Sequence, residues 1–378
     1  MSKNGLSRRN FLRNVAVGSG TVALASVSEA FTTSAAAAPP GPPFPLTVES
    51  FPLVEPAKES GPAHFRITTM VPIPQEYQDK IRAYSPNIEL KQCRDAEEFH
   101  REVADAHVIY CGFSHEDFRN AKNLRWIQYT AAGVERILWP ELVESPVVLT
   151  NMQRMYSPTI SETAIGLLLT LTRGLNRYAL QTQEHKWQAL DGLTEISGLT
   201  MGIAGLGGIG TDTAYRAHYG FHMKILAVDP KPLPKPTFVA ELHSLDWLPQ
   251  MVPQVDVLVS AAPHTRVSEK MFNESIFRAM KPTAYFMNLS RGALVDTPAL
   301  VRALKEKWIA GAALDVAYKE PLPSDDPLWT AGNVIITSHS SARSAGSTMR
   351  ARDLFCENVR RYVNGLPLLN VVDKVRGY

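Results

Sequence analysis

Short apolar runs separated by helix-length amphipathic stretches recur along most of the chain. In the first half the runs fall at residues 65–71, 88–91, 107–111, 126–129 and 147–150, rich in Ile, Val, Tyr and Trp. Their length and β-branched or aromatic content predict strands. The connecting stretches are long enough for the crossovers that parallel neighbours require. Five such units predict a parallel sheet covered on both faces, with strand order 2-1-3-4-5.

Between residues 161 and 185, Ile165, Leu168, Leu169, Leu171, Thr172 and Leu175 recur at helical spacing, which predicts one largely buried helix packed between domains. A second alternating series starts at Thr200, with strands predicted at 201–204, 225–229, 257–261, 285–289, 312–316 and 334–337. Six strands with helical crossovers make a full dinucleotide-binding sheet. The helix after the fourth is announced by Asp296 as N-cap, Pro298 in the first turn and Gly311 beyond its end. A last amphipathic helix over 343–364 stops at Gly365-Leu366-Pro367 and returns the chain to the first domain. The predicted fold class is therefore α/β with two doubly wound parallel-sheet domains. A flavodoxin-like first domain is expected from residues 62–150 plus 341–378, and a Rossmann-type second domain, including the interdomain helix, from 151–340.

The first 38 residues fit neither domain. Ser7-Arg8-Arg9-Asn10-Phe11-Leu12-Arg13 precedes a short apolar run over 15–25 and then Ala35-Ala36-Ala37-Ala38. A basic start, an apolar middle and an alanine-rich cleavage site predict a signal peptide, and the paired arginines before Phe-Leu specify the twin-arginine type. The twin-arginine export machinery is then a partner and the periplasm the expected destination. The run is shorter than the roughly 20 residues a membrane span needs, so no stable anchor is expected. Residues 39–61, opening with Pro39, Pro40, Pro42, Pro43 and Pro45, read as a stiff linker.

Removing residues 1–38 changes the charge. That segment holds Lys3, Arg8, Arg9 and Arg13 against Glu29, a net +3, so the remainder falls from +2 to −1. Nucleic-acid binding gains no support. Cys93, Cys111 and Cys356 form no disulfide framework, although an exported chain meets oxidising conditions. Cys93 lies just past one predicted strand and Cys111 ends another; the two flank the first strand, about 10 Å apart, beyond disulfide reach. All three are expected as small buried apolar residues. No pair of histidines has metal-ligand spacing, so no metal is expected.

Gly205-Leu206-Gly207-Gly208-Ile209-Gly210 follows a predicted strand and opens a predicted helix. Gly205 permits the tight turn, Gly207 lets the backbone approach a pyrophosphate, and Gly210 allows close contact of helix and strand. The helix N-terminus offers free N–H groups to the phosphates. Asp229, 24 residues after Gly205, ends the next strand, where a carboxylate binds ribose hydroxyls and repels a 2′-phosphate. NAD is therefore expected over NADP, with Lys231 as the opposing signal.

Three more residues stand just after predicted strands: Arg291 in Asn288-Leu289-Ser290-Arg291-Gly292, Glu320 in Asp315-Val316-Ala317-Tyr318-Lys319-Glu320-Pro321, and His339 between Ser338 and Ser340. Singly, each has an ordinary reading as a surface arginine, a loop carboxylate or a structural histidine. Together they could clamp a carboxylate, tune a base and donate a proton.

Residues 125–345 resemble the D-isomer-specific 2-hydroxyacid dehydrogenases. The matching stretches are Ala132-Gly133-Val134-Glu135, Ser161-Glu162, the glycine loop with Asp229, Met280-Lys281-Pro282, 288–296, 315–329 and His339. The resemblance implies a hydride transfer between a nicotinamide and a small 2-keto or D-2-hydroxy acid. It implies that Arg291 holds the substrate carboxylate and the reacting oxygen, that His339 is the acid/base and that Glu320 pairs with it. It further implies that backbone N–H groups at Ala132 and Gly133 bind the substrate, and that Gly208, Ile209, Ala262, Leu289, Ser290, Arg291, Asp315, His339 and Ala342 line the cofactor. A homodimer through the nucleotide domains is implied too. The chain departs from the family pattern at Ser338, Ser340 and Ser341 around His339, at Gly208, and at Met155. An exported NAD-binding interaction or sensor protein with little turnover is the alternative.

Overall fold

Several strands are buried on both faces, the signature of parallel sheets sandwiched by helices. The computed structural model describes residues 64–378, so the leader over 1–38 and the linker over 39–61 lie outside the described residues. β1 (Phe65–Thr69), β2 (Ile88–Gln92), β3 (Val108–Ile109), β4 (Trp126–Gln128) and β5 (Val148–Thr150) form one parallel sheet in the order β2-β1-β3-β4-β5, as the strand pattern predicts. Trp126, on β4, is fully buried and donates its indole N–H to Thr150 Oγ1 at 2.8 Å. That bond satisfies the one polar atom of a large apolar side chain.

The second sheet is also wholly parallel, but it has seven strands where six are predicted. β6 (Thr200–Ala204), β7 (Lys224–Val228), β8 (Glu241–His243), β9 (Val257–Ser260), β10 (Tyr285–Asn288), β11 (Gly311–Leu314) and β12 (Val334–Ile336) run in the order β12-β11-β10-β9-β6-β7-β8. The additional strand, β8, is a three-residue edge strand with no buried residue. It carries no apolar run, so periodicity alone passes over it.

One helix expectation needs correction. The single helix expected over 161–185 is two, Ser157–Arg173 and Leu175–Gln183, divided at Gly174, whose φ of 62° is left-handed. Glycine takes that conformation without the clash a Cβ would meet, and so ends the first helix. The helix capped by Asp296, whose side chain accepts the Ala299 N–H, is Thr297–Lys305. Gly311 lies beyond its end as the first residue of β11, where a Cβ would come within 2.6 Å of the Asn333 side chain. The final helix, Ala345–Val363, begins with a reciprocal Ser344/Ser347 capping box and packs Leu354, Phe355 and Val359 into the core of the first sheet.

From there the tail runs beside β5. Asn151 N–H bonds to the Asn370 carbonyl at 3.0 Å and Val372 N–H to the Leu149 carbonyl at 2.8 Å. Cys93, Cys111 and Cys356 are free and buried. Among the described residues no helix is long and apolar enough to cross a membrane.

Candidate active site

In open parallel sheets the chain leaves each strand at its carboxyl end into loops that converge on one edge, where ligands bind. The glycine loop follows β6, Asp229 follows β7, Ala262 follows β9, Arg291 follows β10 and Asp315 follows β11. A cavity along this edge is lined by Gly205, Gly207, Gly208, Ile209, Asp229 and Ala262, together with Ser290 and Arg291, and on the side of the first sheet by Ala132 and Gly133. Gly210, Leu289, Asp315, His339 and Ala342 are not in its walls.

The glycines behave as their spacing implies. Gly205 has φ +98°, and a Cβ there would meet the Ala262 backbone at 2.7 Å. A Cβ on Gly210 would lie 2.0 Å from the Gly205 carbonyl oxygen, so helix and strand can close only on glycine. At Gly207, by contrast, nothing lies within 4 Å, which leaves the room a pyrophosphate needs against the backbone. Beside it, the buried Ser157 hydroxyl has no hydrogen-bond partner and points at Gly208. Asp229 is 9% exposed, and its carboxylate accepts N–H groups from Leu206 and Lys231, both at 2.8 Å. Open space at Gly207, an unpartnered donor at Ser157 and an acidic residue at the far end all fit a dinucleotide.

Arg291 sits across the cleft from the first sheet. Asn288 fixes its loop, donating to the Arg291 carbonyl at 2.9 Å and accepting from Ser290 N and Oγ. The guanidinium lies directly on Gly133, where a Cβ would come within 1.8 Å of Nη2. Its Nε donates to Glu135 Oε1 at 2.6 Å. The 130–133 loop is held in turn by its carbonyls. Thr130 accepts from the Tyr156 hydroxyl, Ala131 from the Met152 N–H, and Ala132 from Asn151 Nδ2. Ala132, Gly133 and Arg291, singled out from the sequence as substrate ligands, are thus brought together.

His339 and Glu320 meet as well, with His339 Nδ1 2.8 Å from Glu320 Oε2. The other carboxylate oxygen accepts the Ala317 N–H at 3.1 Å. Burial pushes the Glu320 carboxyl upward, but the hydrogen bonds from His339 and Ala317 outweigh it, so the group titrates below the ordinary glutamate range. It is a carboxylate at neutral pH. A carboxylate on Nδ1 requires the proton there and leaves Nε2 to act outward. The Arg291 loop is close by, since a Cβ on Gly292 would meet the Ala317 carbonyl at 2.0 Å.

The serines around His339 have a structural use. Asp315, 1% exposed, accepts from Thr337 Oγ1 at 2.6 Å, from the Ser340 N–H at 3.1 Å and from the Ser341 N–H and hydroxyl. Its carbonyl accepts the His339 N–H at 2.7 Å. His339 itself has φ 52°, an uncommon left-handed conformation for a non-glycine residue, held by this bonding. Asp315, which the family resemblance put beside the cofactor, spends its carboxylate on orienting the histidine loop.

Sequence reading assigned no role to Glu135, Asn151, Arg154, Ser157, His264 or Tyr378, all of which line the cavity. Glu135 stands in a matching stretch, yet nothing local signals that its partner lies 156 residues away.

A family model described as D-isomer specific 2-hydroxyacid dehydrogenase, NAD binding domain, matches residues 165–341. A glyoxylate reductase of Thermofilum pendens is 32% identical over 280 residues, covering 71% of this chain and 82% of that protein. A solved D-isomer specific 2-hydroxyacid dehydrogenase family protein from Aeromonas salmonicida is 29% identical with a TM-score of 0.73, covering 83% of this chain and all of that one. An NADPH-dependent glyoxylate/hydroxypyruvate reductase from Sinorhizobium meliloti, solved with NADP and sulfate, is 25% identical with a TM-score of 0.71, covering 83% of this chain and all of that one.

Proposed function

The chain belongs to the D-isomer specific 2-hydroxyacid dehydrogenase family, and on that footing we propose that it interconverts a small 2-keto acid and its D-2-hydroxy acid. The bound nicotinamide would supply or accept the hydride. Arg291 would hold the substrate carboxylate with its forked N–H groups, helped by the Ala132 and Gly133 backbone. His339 would pass a proton from Nε2 to the keto oxygen, and take it back in the reverse direction. Glu320 would fix the ring and its tautomer. The observation that carries this reading is the His339–Glu320 contact at 2.8 Å, one loop away from Arg291. A keto-acid panel with wild-type and His339→Ala protein tests it. Loss of turnover with nucleotide binding retained supports the enzyme, whereas a His339→Ala protein that still turns over would sink these roles.

NAD is the preferred nucleotide in this reading, because the Asp229 carboxylate would accept ribose hydroxyls and repel a 2′-phosphate. A relative solved with NADP makes the comparison necessary. Equal or better kcat/KM with NADPH would reject the preference.

Residues 62–150 plus 341–378 would fold as the substrate domain and 151–340 as the nucleotide domain. A homodimer is part of the same reading, supported by the exposed Leu180, Trp187 and Tyr219 near the long interdomain helix. Light scattering giving a monomer at micromolar concentration would reject it. The basic leader with Arg8 and Arg9 supports twin-arginine export to the periplasm. This route carries folded proteins, so NAD could travel bound and be recycled by oxidising one hydroxy acid while reducing another keto acid. Periplasmic fractions lacking the protein, or unchanged export after Arg8→Lys and Arg9→Lys, would count against it.

A further inference from the structure

The adenosine end of the nucleotide cleft is walled by Asp229, Pro230 and Lys231 on one side, and on the other by Gly377 and Tyr378 of the C-terminal tail. The tail belongs to the opposite half of the cleft. Asn370 and Val372 tie it to β5, and Asn370 Nδ2 also donates to the Gln153 carbonyl at 2.9 Å. Further along, Lys374 Nζ donates to the carbonyls of Leu142, Ser145 and Val147 at 2.6–3.0 Å. Three carbonyls converging on one ammonium make a firm anchor. From it the chain turns at Gly377, with φ +82°, and the Tyr378 ring arrives beneath Lys231, whose Nζ is 4.4 Å from the ring centroid. A cation over a ring at that distance is attracted by its quadrupole. Lys231 is two residues past Asp229, and its own N–H bonds to the Asp229 carboxylate.

We propose that Tyr378 and Lys231 form a clasp that closes the adenosine end of the cleft and slows release of the bound nucleotide. The proposal rests on the reading of this cleft as a nicotinamide dinucleotide site. Its logic is mechanical: an aromatic–cation contact joins the two halves of the cleft at its Asp229 end, and a nucleotide held in the cleft cannot leave past that contact until it opens. The ring is anchored to one half and the cation to the other, so separating the halves breaks the contact.

The test is the release rate of NADH from the full chain, followed by stopped-flow fluorescence while excess NAD displaces it. Tyr378→Ala should release NADH faster by about three- to thirtyfold, the range expected for one cation–ring contact. Tyr378→Phe, which keeps the ring, should release it at nearly the wild-type rate, and Lys231→Met should resemble Tyr378→Ala. The keto-acid kcat/KM at saturating NADH should be unchanged in all three. Unchanged thermal unfolding shows that each variant is folded. Wild-type binding with an unaltered Tyr378→Ala release rate overturns the clasp alone. Failure of the wild-type chain to bind either NADH or NADPH overturns the nucleotide reading and the clasp with it.

Discussion

Arg291 Nε donates to Glu135 Oε1 at 2.6 Å, joining the loop after β10 to the loop after β4 across the cleft. Both side chains are about three-quarters buried. The pair and a second bond, from Nη1 to the Ser290 carbonyl at 2.8 Å, set the plane of the guanidinium, and Nη2 remains for another carboxylate. Glu135→Gln should keep the fold but loosen that plane, lowering kcat/KM for a keto acid by about tenfold, in line with losing one charged hydrogen bond. Arg291→Lys should cost considerably more, because an ammonium cannot present a fork. Steady-state kinetics on the two variants decides; an unaltered Glu135→Gln enzyme would remove the positioning role.

The contact between His339 and Glu320 predicts a division of labour. His339→Ala should lower kcat by about two to four orders of magnitude while NADH titration remains as in the wild type. Glu320→Gln can still accept a hydrogen bond but cannot balance charge, so a smaller loss is expected. Equal losses from both substitutions would mean that the carboxylate, too, has a direct part in proton transfer.

Acid should weaken the cleft through its carboxylates. Burial acts to raise the Glu135 and Glu320 carboxyls. The charge and hydrogen bond of Arg291 overcome it at Glu135, and hydrogen bonds from His339 and the Ala317 amide overcome it at Glu320, so both groups titrate low. A carboxyl lowered on folding adds stability above its unfolded value of about 4.3 and loses that contribution as pH falls through the folded value. Urea unfolding between about pH 5 and about pH 3 should therefore fall more steeply for wild type than for the Glu135→Gln/Glu320→Gln variant. Parallel curves would contradict this.

Substitutions in the glycine loop should separate folding from binding. A Cβ on Gly210 meets the Gly205 carbonyl at 2.0 Å, whereas one on Gly207 meets nothing. Gly210→Ala should depress Tm by several degrees. Gly207→Ala should leave Tm unchanged and weaken NADH binding, because the methyl group would stand where the pyrophosphate approaches. Calorimetry and fluorescence titration on the pair give the answer, and equal Tm losses would dismiss the distinction.

Thiol reagents should find nothing to react with in the native chain. Burial pushes the Cys111 thiol up to about 12 and Cys356 up to about 11, and raises Cys93 as well. A reactive thiolate is then scarce at neutral pH. Labelling followed by mass spectrometry should show no modification within minutes when folded and three sites in denaturant. Rapid labelling of any one in the native protein would contradict its burial.

Much of the fold was legible because burial in parallel sheets writes itself locally. Eleven predicted strands recur among the twelve of the described residues, and β8 escapes because a half-buried edge strand of Glu, Leu and His needs no apolar run. Gly174 was equally visible as a residue, but a single glycine within a helical pattern does not announce whether it is tolerated or breaks the helix. The serines around His339 read as a departure from the family pattern until Asp315 was seen to gather their N–H groups.

By itself, the sequence determined the two alternating series, the glycine loop with its acidic residue, and the placing of Arg291, Glu320 and His339 after strands. Each of these depends on a handful of neighbouring residues whose backbone preferences and period are local. Tertiary structure alone decided that Arg291 leans on Gly133 and pairs with Glu135, and that Tyr378 reaches Lys231. Those partners are far apart in the chain and meet only when two separately wound sheets pack with their carboxyl edges around one cleft. No local periodicity encodes that approach, because it is set by the packing of helices from both halves and by the path of the tail beside β5.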